Sequence, residues 1–181
     1  MKACSLAFCL ILLLVGAAQA ADSLNVRLVG SCATPRRAYG VAVRDTYAYV
    51  ADWSSGLRVI SVTDPAHPTE IGHADLNPDS AMAVEMSGNY AYVADLSAGL
   101  RIISVADPAH PTEVGYYDTP GRAGRVAVDS SYAYVADVDS GLWVISITDP
   151  AHPFEVGHWQ VSGSMISSIA VAGHFVFVVD F

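Results

Sequence analysis

Residues 47–72 of the chain read YAYVADWSSGLRVISVTDPAHPTEIG, and the same order of motifs starts again at Tyr90 and at Tyr132. The second copy begins 43 residues after the first, and the third begins 42 residues after the second. A fourth copy opens with FVFVVD at 175–180, just before Phe181. One such unit cannot bury its own apolar faces and must pack against a copy of itself. The repeat therefore predicts a stacked scaffold and identifies no reaction.

Each copy contains four short segments rich in Val, Ile and Tyr, separated by Gly, Pro, Asp and Ser. We name them strands A to D in chain order; in the first copy they are 41–43, 47–51, 57–62 and 69–73. In strand B, Tyr47 and Tyr49 project to one face. Ala48 and Val50 project to the other, so both faces are apolar or amphipathic. A four-stranded unit of about 40 to 45 residues that is sandwiched between copies of itself is typical of a propeller blade. A parallel β-helix fits less well, because its turns are shorter and lack tight hairpins.

Each copy also carries a segment that follows YVAD and runs from GL through DPAHP: GLRVISVTDPAHPTEIG at 56–72, GLRIISVADPAHPTEVG at 99–115 and GLWVISITDPAHPFEVG at 141–157. These segments resemble the LVIVD repeat family of secreted bacterial and archaeal β-propellers. The resemblance extends over nearly all of the chain after about Leu28. One departure is systematic, since Ser61, Ser104 and Ser146 stand where that family commonly has Asp. The resemblance implies a propeller outside the cytoplasm and carries over no catalytic residues.

We expect an all-β propeller of four-stranded antiparallel blades in an incomplete ring. The segment 26–32 aligns with strand D, with Gly30 at the position of Gly72, and is expected to serve as an outer strand. The fourth copy lacks strand C, so we expect a truncated family member that aggregates, dimerises through blade faces or is poorly ordered. The expected divisions are a signal peptide at 1–20 and a partial propeller at 21–181, with blades at about 40–74, 83–117 and 125–160 and a partial fourth blade at about 168–181.

The first 20 residues have the pattern of a secretory signal peptide. Lys2 precedes an apolar run at 6–15, and Ala18 and Ala20 form an A-x-A cleavage site. The run is shorter than the roughly 20 apolar residues that span a bilayer, and no later stretch could anchor the chain. We therefore expect a secreted, periplasmic or cell-surface protein. Cleavage leaves Cys32 as the one cysteine of the mature chain, so no internal disulfide can form. Stability must therefore come from packing.

The charge of the chain argues against two classes of partner. Removal of Lys2 from the 9 basic residues leaves 8 against 18 acidic residues, a net charge of −10. A strongly acidic surface repels phosphate backbones and anionic lipid headgroups. We expect neither nucleic acid nor a membrane surface as a partner.

The loops from strand D to the next strand A vary between copies, and variable loops on a repeated frame often carry recognition. They emerge at the same end of a propeller as the loops from strand B to strand C. Arg and aromatic side chains carry much of the energy of interfaces. The sequence therefore predicts a non-catalytic scaffold that binds protein or glycan at the cell surface through Arg36, Arg37, Tyr39, Trp53 and Arg122.

Two residues break the repeat on the inner strands. Glu85 stands where the copies have Ala, and Arg125 replaces a small residue. A lone buried carboxylate is costly, so we expect Glu85 to be solvated, paired or protonated, and pairing with Arg125 or Arg44 is favoured. The alternative is a ligand group in the central channel, as in a propeller hydrolase or lyase that uses channel-facing carboxylates, with or without calcium.

The repeated Asp and His residues suggest metal sites, but a structural role is favoured for each. Aspartates that open the B–C loops suit turns in which the carboxylate accepts from the following backbone amides; they are Asp52, Asp95, Asp137 and Asp180. Asp137 and Asp139 also have the spacing of some calcium loops, but Thr148 stands where an EF-hand needs Glu. Histidines in the C–D turns are splayed outward one per blade and cannot converge on one ion; they are His67, His110 and His152. We expect no metal and no cofactor.

Overall fold

The computed structural model describes the backbone of Phe8–Leu10 and residues 27–76, 80–160 and 166–180. Most of the expected signal peptide and residue 26 of the expected outer strand lie outside these ranges, as do parts of two D–A loops and Phe181. Within the described ranges, no helix is long and apolar enough to cross a membrane.

The described residues form three four-stranded antiparallel blades, each with its strands in the spatial order A-B-C-D. Blade 1 contains β3 (Gly40–Arg44), β4 (Tyr47–Ala51), β5 (Leu57–Ser61) and β6 (Thr69–Ala74). Blade 2 contains β7 (Ala81–Ser87), β8 (Tyr90–Asp95), β9 (Leu100–Ser104) and β10 (Thr112–Tyr117). Blade 3 contains β11 (Ala123–Val128), β12 (Tyr132–Asp137), β13 (Gly141–Ser146) and β14 (Phe154–Trp159). The all-β propeller architecture with an open ring is thereby confirmed.

Two smaller sheets flank the three blades. Strands A and B of the fourth unit pair as β15 (Ile166–Ala172) and β16 (Phe175–Asp180). Near the other end of the chain, β1 (Phe8–Leu10) pairs antiparallel with β2 (Ser31–Ala33).

Strand A starts earlier than its apolar run predicts in blades 2 and 3. Ala81 forms an antiparallel bridge with Trp53 in the B–C loop of blade 1, and Ala123 forms the same bridge with Leu96 in blade 2. The bridge pairs the Ala81 amide with the Trp53 carbonyl at 3.1 Å and the Trp53 amide with the Ala81 carbonyl at 3.2 Å. The extra strand residues are therefore held by the preceding blade as well as by the hairpin of their own blade, where Ala81 pairs with Asp95 and Ala123 with Asp137.

The core lies between blades and not within any one of them. We call the side of a blade that meets the next blade its forward face and the other side its backward face. Tyr49 and Val59 on the forward face of blade 1 pack in one cluster with Val84 and Val93 on the backward face of blade 2. The same alternation buries the equivalent residues between blades 2 and 3. Between blade 3 and β15–β16 the cluster includes Leu142 and Ile166. Side chains of strand B point alternately to the two faces of a blade, and both sets are buried against neighbouring blades.

A steric contact at the outer edge joins each strand D to the next blade. Strand D of every blade contains a β-bulge just before a glycine. A Cβ on Gly72 would collide with the Pro108 carbonyl and lie 2.8 Å from the Ala109 oxygen, both in the DPAHP turn of blade 2. Gly115 meets the Pro150 carbonyl of blade 3 in the same way, and Gly30 meets the turn of blade 1. The DPAHP turn is thus an inter-blade contact as well as a hairpin loop.

Gly72→Ala and Gly157→Ala test this contact at equivalent repeat positions. Gly72→Ala is expected to lower the free energy of unfolding by about 1–3 kcal/mol, because the new Cβ overlaps backbone atoms of the next blade. Gly157 has no atom within 4 Å of its added Cβ, so Gly157→Ala should change stability by less than about 0.5 kcal/mol. Chemical unfolding of both variants is the measurement. Equal losses would contradict the assignment of the turn as an inter-blade contact.

Candidate interaction face

Two loops of blade 1 are tied together where most of the predicted binding residues lie. The carboxylate of Asp52, which opens the B–C loop, accepts the Thr34 hydroxyl at 2.8 Å and the Arg36 amide at 2.9 Å. Asp52 is fully buried. The Tyr39 amide donates to the Ala51 carbonyl at 2.9 Å. The D–A loop that precedes blade 1 is therefore fixed to the B–C loop that follows its strand B.

The most distinctive feature of this face is an aromatic pair. The rings of Tyr39 and Trp53 have centroids 5.0 Å apart and planes inclined by 37°. Tyr39 is exposed and Trp53 is partly exposed. Trp53 has a positive φ of 48°, but Leu96 at the equivalent position has a φ of 35° and forms the same inter-blade bridge. The backbone conformation thus belongs to the repeat, and the Trp side chain is the particular feature of blade 1.

The structure brings four of the five predicted binding residues together. Arg36 and Arg37 are exposed on the loop that carries Tyr39, and no described residue forms an ion pair with either guanidinium. Arg122 lies two blades along the chain on the equivalent loop. Its guanidinium donates to both carboxylate oxygens of Asp139, at 2.8 and 3.1 Å. The hydrogen bond and charge of Asp139 raise the pKa of Arg122. The Arg122 guanidinium is therefore already paired with an acid on the same loop face.

Asp137 performs in blade 3 the role of Asp52 in blade 1, with more bonds. One carboxylate oxygen accepts the amides of Arg122, Asp139 and Ser140 at 3.0 Å each. The other accepts the Gly121 amide at 2.9 Å. The spacing of residues indicated the bonds within the B–C loop, but it gave no sign of those to the D–A loop. Since Asp139 is held by Arg122, both acids of the calcium-like spacing are engaged by protein donors.

Glu85 and Arg125 lie on the inner strands, but the expected ion pair is wrong. Arg125 is exposed and donates from Nη1 to the Gly124 carbonyl at 2.8 Å. Arg44 lies 3.5 Å from Asp45 and donates to the Asn89 side chain. Among the described residues no cation pairs with Glu85.

The Glu85 carboxylate is nevertheless affected by its surroundings. Glu85 is exposed as a residue, yet enough protein surrounds its carboxylate that desolvation raises its pKa, against a smaller lowering by the Met86 amide. Strands A of successive blades are neighbours, as shown by the close approach of Gly40 to Ala83. Glu85 therefore lies on the inner side of the ring as an exposed residue whose carboxylate is partly desolvated.

The histidines of the C–D turns lie at the opposite end of the blades and bond locally. His67, His110 and His152 each place Nδ1 within 2.8 to 2.9 Å of the Asp three residues earlier. The hydrogen bond from the His ring, followed by that from an amide, lowers the pKa of each Asp. In the described part of the chain, no three His, Cys, Asp or Glu residues are grouped so that they could hold a metal ion.

A groove lies at the outer edge between blades 2 and 3. It has a volume of about 600 Å³ and is lined by strand D of blade 2, including Glu113 and Tyr116, and by the turn residues His152 and Pro153. The groove lies beside the contact between Gly115 and the DPAHP turn of blade 3. The groove is therefore part of the outer-edge packing and is separate from the aromatic pair.

Comparison with known sequences gives one family match. The LVIVD repeat family matches residues 35–75, 78–119 and 120–161, which include the three complete blades. No curated protein matches the chain in sequence.

Comparison with solved structures shows the fold. The computationally designed Ika4 protein matches with a TM-score of 0.63 and 8% identity over 82% of this chain and 92% of that chain. The designed Ika8 protein matches with a TM-score of 0.67 and 9% identity over 83% of this chain and 45% of that chain. BamB from Moraxella catarrhalis matches with a TM-score of 0.63 and 18% identity over 84% and 47%. The chain thus spans less than half of the two larger propellers.

Asp137→Asn and Asp139→Asn separate the structural acid from its exposed neighbour. Asp137→Asn places an amide donor against at least one backbone N–H and removes the charge that four N–H groups share. We expect a loss of about 1–3 kcal/mol in the free energy of unfolding. Asp139→Asn removes an exposed ion pair and should cost about 0–1 kcal/mol. Urea unfolding of both variants checks this, and equal losses would argue against a structural role for Asp137.

Proposed function

Since the chain belongs to the LVIVD repeat family, we propose that it is a non-catalytic binding scaffold that acts outside the cytoplasm. In this proposal it contacts a protein or glycan at the cell surface through the loops of blade 1. The observation that carries the proposal is the partly exposed Tyr39–Trp53 pair, with ring centroids 5.0 Å apart, on loops fixed by Asp52.

A rigid aromatic pair suits recognition because it loses little conformational entropy on binding. Tyr and Trp offer a large apolar surface together with a polar group, and they are enriched among the residues that dominate interface energies. Trp53 is held by two backbone hydrogen bonds to Ala81, and the backbone of Tyr39 is held by Ala51. The backbones that carry the two rings are therefore fixed before a ligand arrives, which favours affinity.

The local charge supports a partner with acidic groups at this face. The whole chain carries a net charge of −9, but Arg36 and Arg37 are adjacent and exposed beside the aromatic pair. Complementary charge at the rim of an interface speeds association and selects among partners. An acidic protein segment or an acidic glycan would match this arrangement.

The non-catalytic part of the proposal rests on how the acids of this face are used. Asp52 and Asp137 are buried acceptors of backbone amides, and Asp139 holds Arg122. Groups that maintain loop structure are poorly suited to transfer protons. We propose accordingly that binding at this face needs no cofactor.

Trp53→Ala is expected to weaken ligand binding at least about 10-fold, because truncation of an aromatic residue that dominates an interface costs about 2 kcal/mol or more. The measurement is binding of the full chain to a panel of acidic and neutral glycans. Photo-crosslinking from position 54, the exposed neighbour of Trp53 in the B–C loop, in the producing organism detects a protein partner. Position 67, in the turn at the opposite end of blade 1, is the matched crosslinking control. Equal crosslinking from both positions, or no ligand by either assay, would reject the proposed face.

The proposed location has a separate test. Ala18→Arg should block processing of the exported chain, because a bulky charged residue replaces one of the two small residues of the cleavage site. The wild-type chain should begin at Ala21 by mass spectrometry. Gln19→Arg, between the two small residues, is the control and should still be processed. A wild-type chain that retains Met1 in the cytoplasmic fraction would contradict export.

A further inference from the structure

A hydrogen bond between side chains joins the outer strands of blades 2 and 3. The hydroxyl of Tyr117, the last residue of β10, donates to Oε2 of Glu155 on β14 at 3.1 Å. The other carboxylate oxygen of Glu155 lies 2.7 Å from Nδ1 of His158. The His158 ring stacks on Trp143, with centroids 4.7 Å apart and planes inclined by 19°. A residue of blade 2 is therefore bonded to a cluster of three residues of blade 3.

The equivalent acids of the other two blades pair within their own blades. Glu70 in blade 1 lies 3.3 Å from Arg58, and Glu113 in blade 2 lies 3.4 Å from Arg101. Trp143 stands in blade 3 where these arginines stand. The replacement of the arginine leaves the carboxylate of blade 3 available to a donor from the neighbouring blade.

The donor is a second departure from the repeat. Tyr117 occupies the position of Ala74 in blade 1, whose methyl side chain has no donor. The Tyr117 ring packs in the apolar cluster between blades 2 and 3 and lies 6.4 Å from the Trp143 ring. The two departures are in different blades, yet they meet at the same interface. Together they replace an ion pair within a blade by a hydrogen bond between blades.

The protonation of Glu155 decides whether this cluster can form. An ionised carboxylate accepts at both oxygens, whereas protonation turns one of the two acceptors into a donor. The hydrogen bond from His158 lowers the pKa of Glu155, desolvation opposes it, and the bond from Tyr117 adds to the lowering. Desolvation, followed by the bond to Glu155, raises the pKa of Tyr117, so its hydroxyl keeps the proton. Tyr117 from β10 and His158 from β14 are the titratable groups that face the carboxylate, and Trp143 from β13 carries no charge.

The direction of the pH dependence follows from Glu155. Its pKa is lower in the folded chain than the ordinary value of 4.5, so the cluster stabilises the interface above that pH. The stabilisation is lost as the pH falls below 4.5 through the pKa of the folded chain. Protonation of His158 keeps a hydrogen on Nδ1, so it preserves the bond to Glu155.

We propose that Tyr117, Glu155 and His158 form an acid-labile latch at the outer edge of the interface between blades 2 and 3. When Glu155 is neutralised, β10 and β14 separate more often. Tyr92 and Val126 pack in the apolar cluster of the same interface on the inner strands, and acid leaves that contact in place. Opening is therefore confined to the outer strands. The interface between blades 1 and 2 lacks this latch, because Ala74 supplies no hydroxyl.

The test measures amide hydrogen exchange of the full chain, corrected for the intrinsic effect of pH, from about pH 6.5 to about pH 3. Glu155→Gln reproduces the neutral acid, and Tyr117→Phe keeps the ring but removes the donor. At the higher pH, each variant should exchange the amides of β10 and β14 about 3- to 10-fold faster than the wild type, as expected for one lost hydrogen bond. The wild type should lose this protection in acid, and the exchange of both variants should depend less on pH.

Glu113→Gln is the matched control, because Glu113 is the equivalent acid in blade 2 and pairs with Arg101 of its own blade. It should leave the exchange of β14 as in the wild type. The double variant of Tyr117→Phe and Glu155→Gln should exchange no faster than Glu155→Gln alone, because both changes remove the same bond. Circular dichroism verifies that each variant is folded. Additive effects, an unchanged pH dependence of β14 in Glu155→Gln, or an equal effect of Glu113→Gln would each overturn the proposal.

Discussion

The contact between strand B of one blade and strand A of the next is the interaction on which the structure depends. Each blade is apolar on both faces, because strand B alternates Tyr and Ala on one side with Ala and Val on the other. Tyr49 is fully buried, and burial together with the charge of Tyr90 raises the pKa of Tyr92 to about 12. Residues this deeply enclosed are enclosed by a neighbouring blade. Stability is therefore a property of interfaces, as expected of a repeat protein.

Two further contacts fix the angle between blades at their opposite ends. At the loop face, Trp53 and Leu96 bridge to strand A of the following blade. At the outer edge, Gly72 and Gly115 admit the turn of the following blade. Within each of blades 1 and 3, a buried Asp ties the two loops of the loop face together. The frame thus holds the loop backbones in place and leaves side chains such as Arg36 free to differ between blades.

The sequence predicts the blade but not all the contacts between blades. Strand identity and face alternation are local properties, so the period and the pattern of YAYVA were sufficient for the fold. The contact of Gly72 with Pro108 joins residues 36 positions apart in different repeats, and it depends on a bulge whose position a sequence does not display. Arg122 was predicted as a binding residue, but its partner Asp139 approaches across two loops. Glu85 was expected to pair with a nearby Arg, but Arg125 donates to the Gly124 carbonyl and Arg44 contacts Asp45 and Asn89.

Blade 3 shows how far side chains can change while the frame is kept. Arg58 in blade 1 binds Glu70 and Asp75, each at 3.3 Å, and Arg101 makes the corresponding contacts in blade 2. Trp143 takes this position in blade 3, where it stacks on His158 at 4.7 Å and donates to the Ser140 hydroxyl at 2.8 Å. The register with strand D is unchanged. An ion-pair group and an aromatic stack are therefore interchangeable on this frame. By the same reasoning, Trp53 and Leu96 make the same backbone bridge to the following blade, and the Trp53 side chain adds a partly exposed aromatic ring to blade 1.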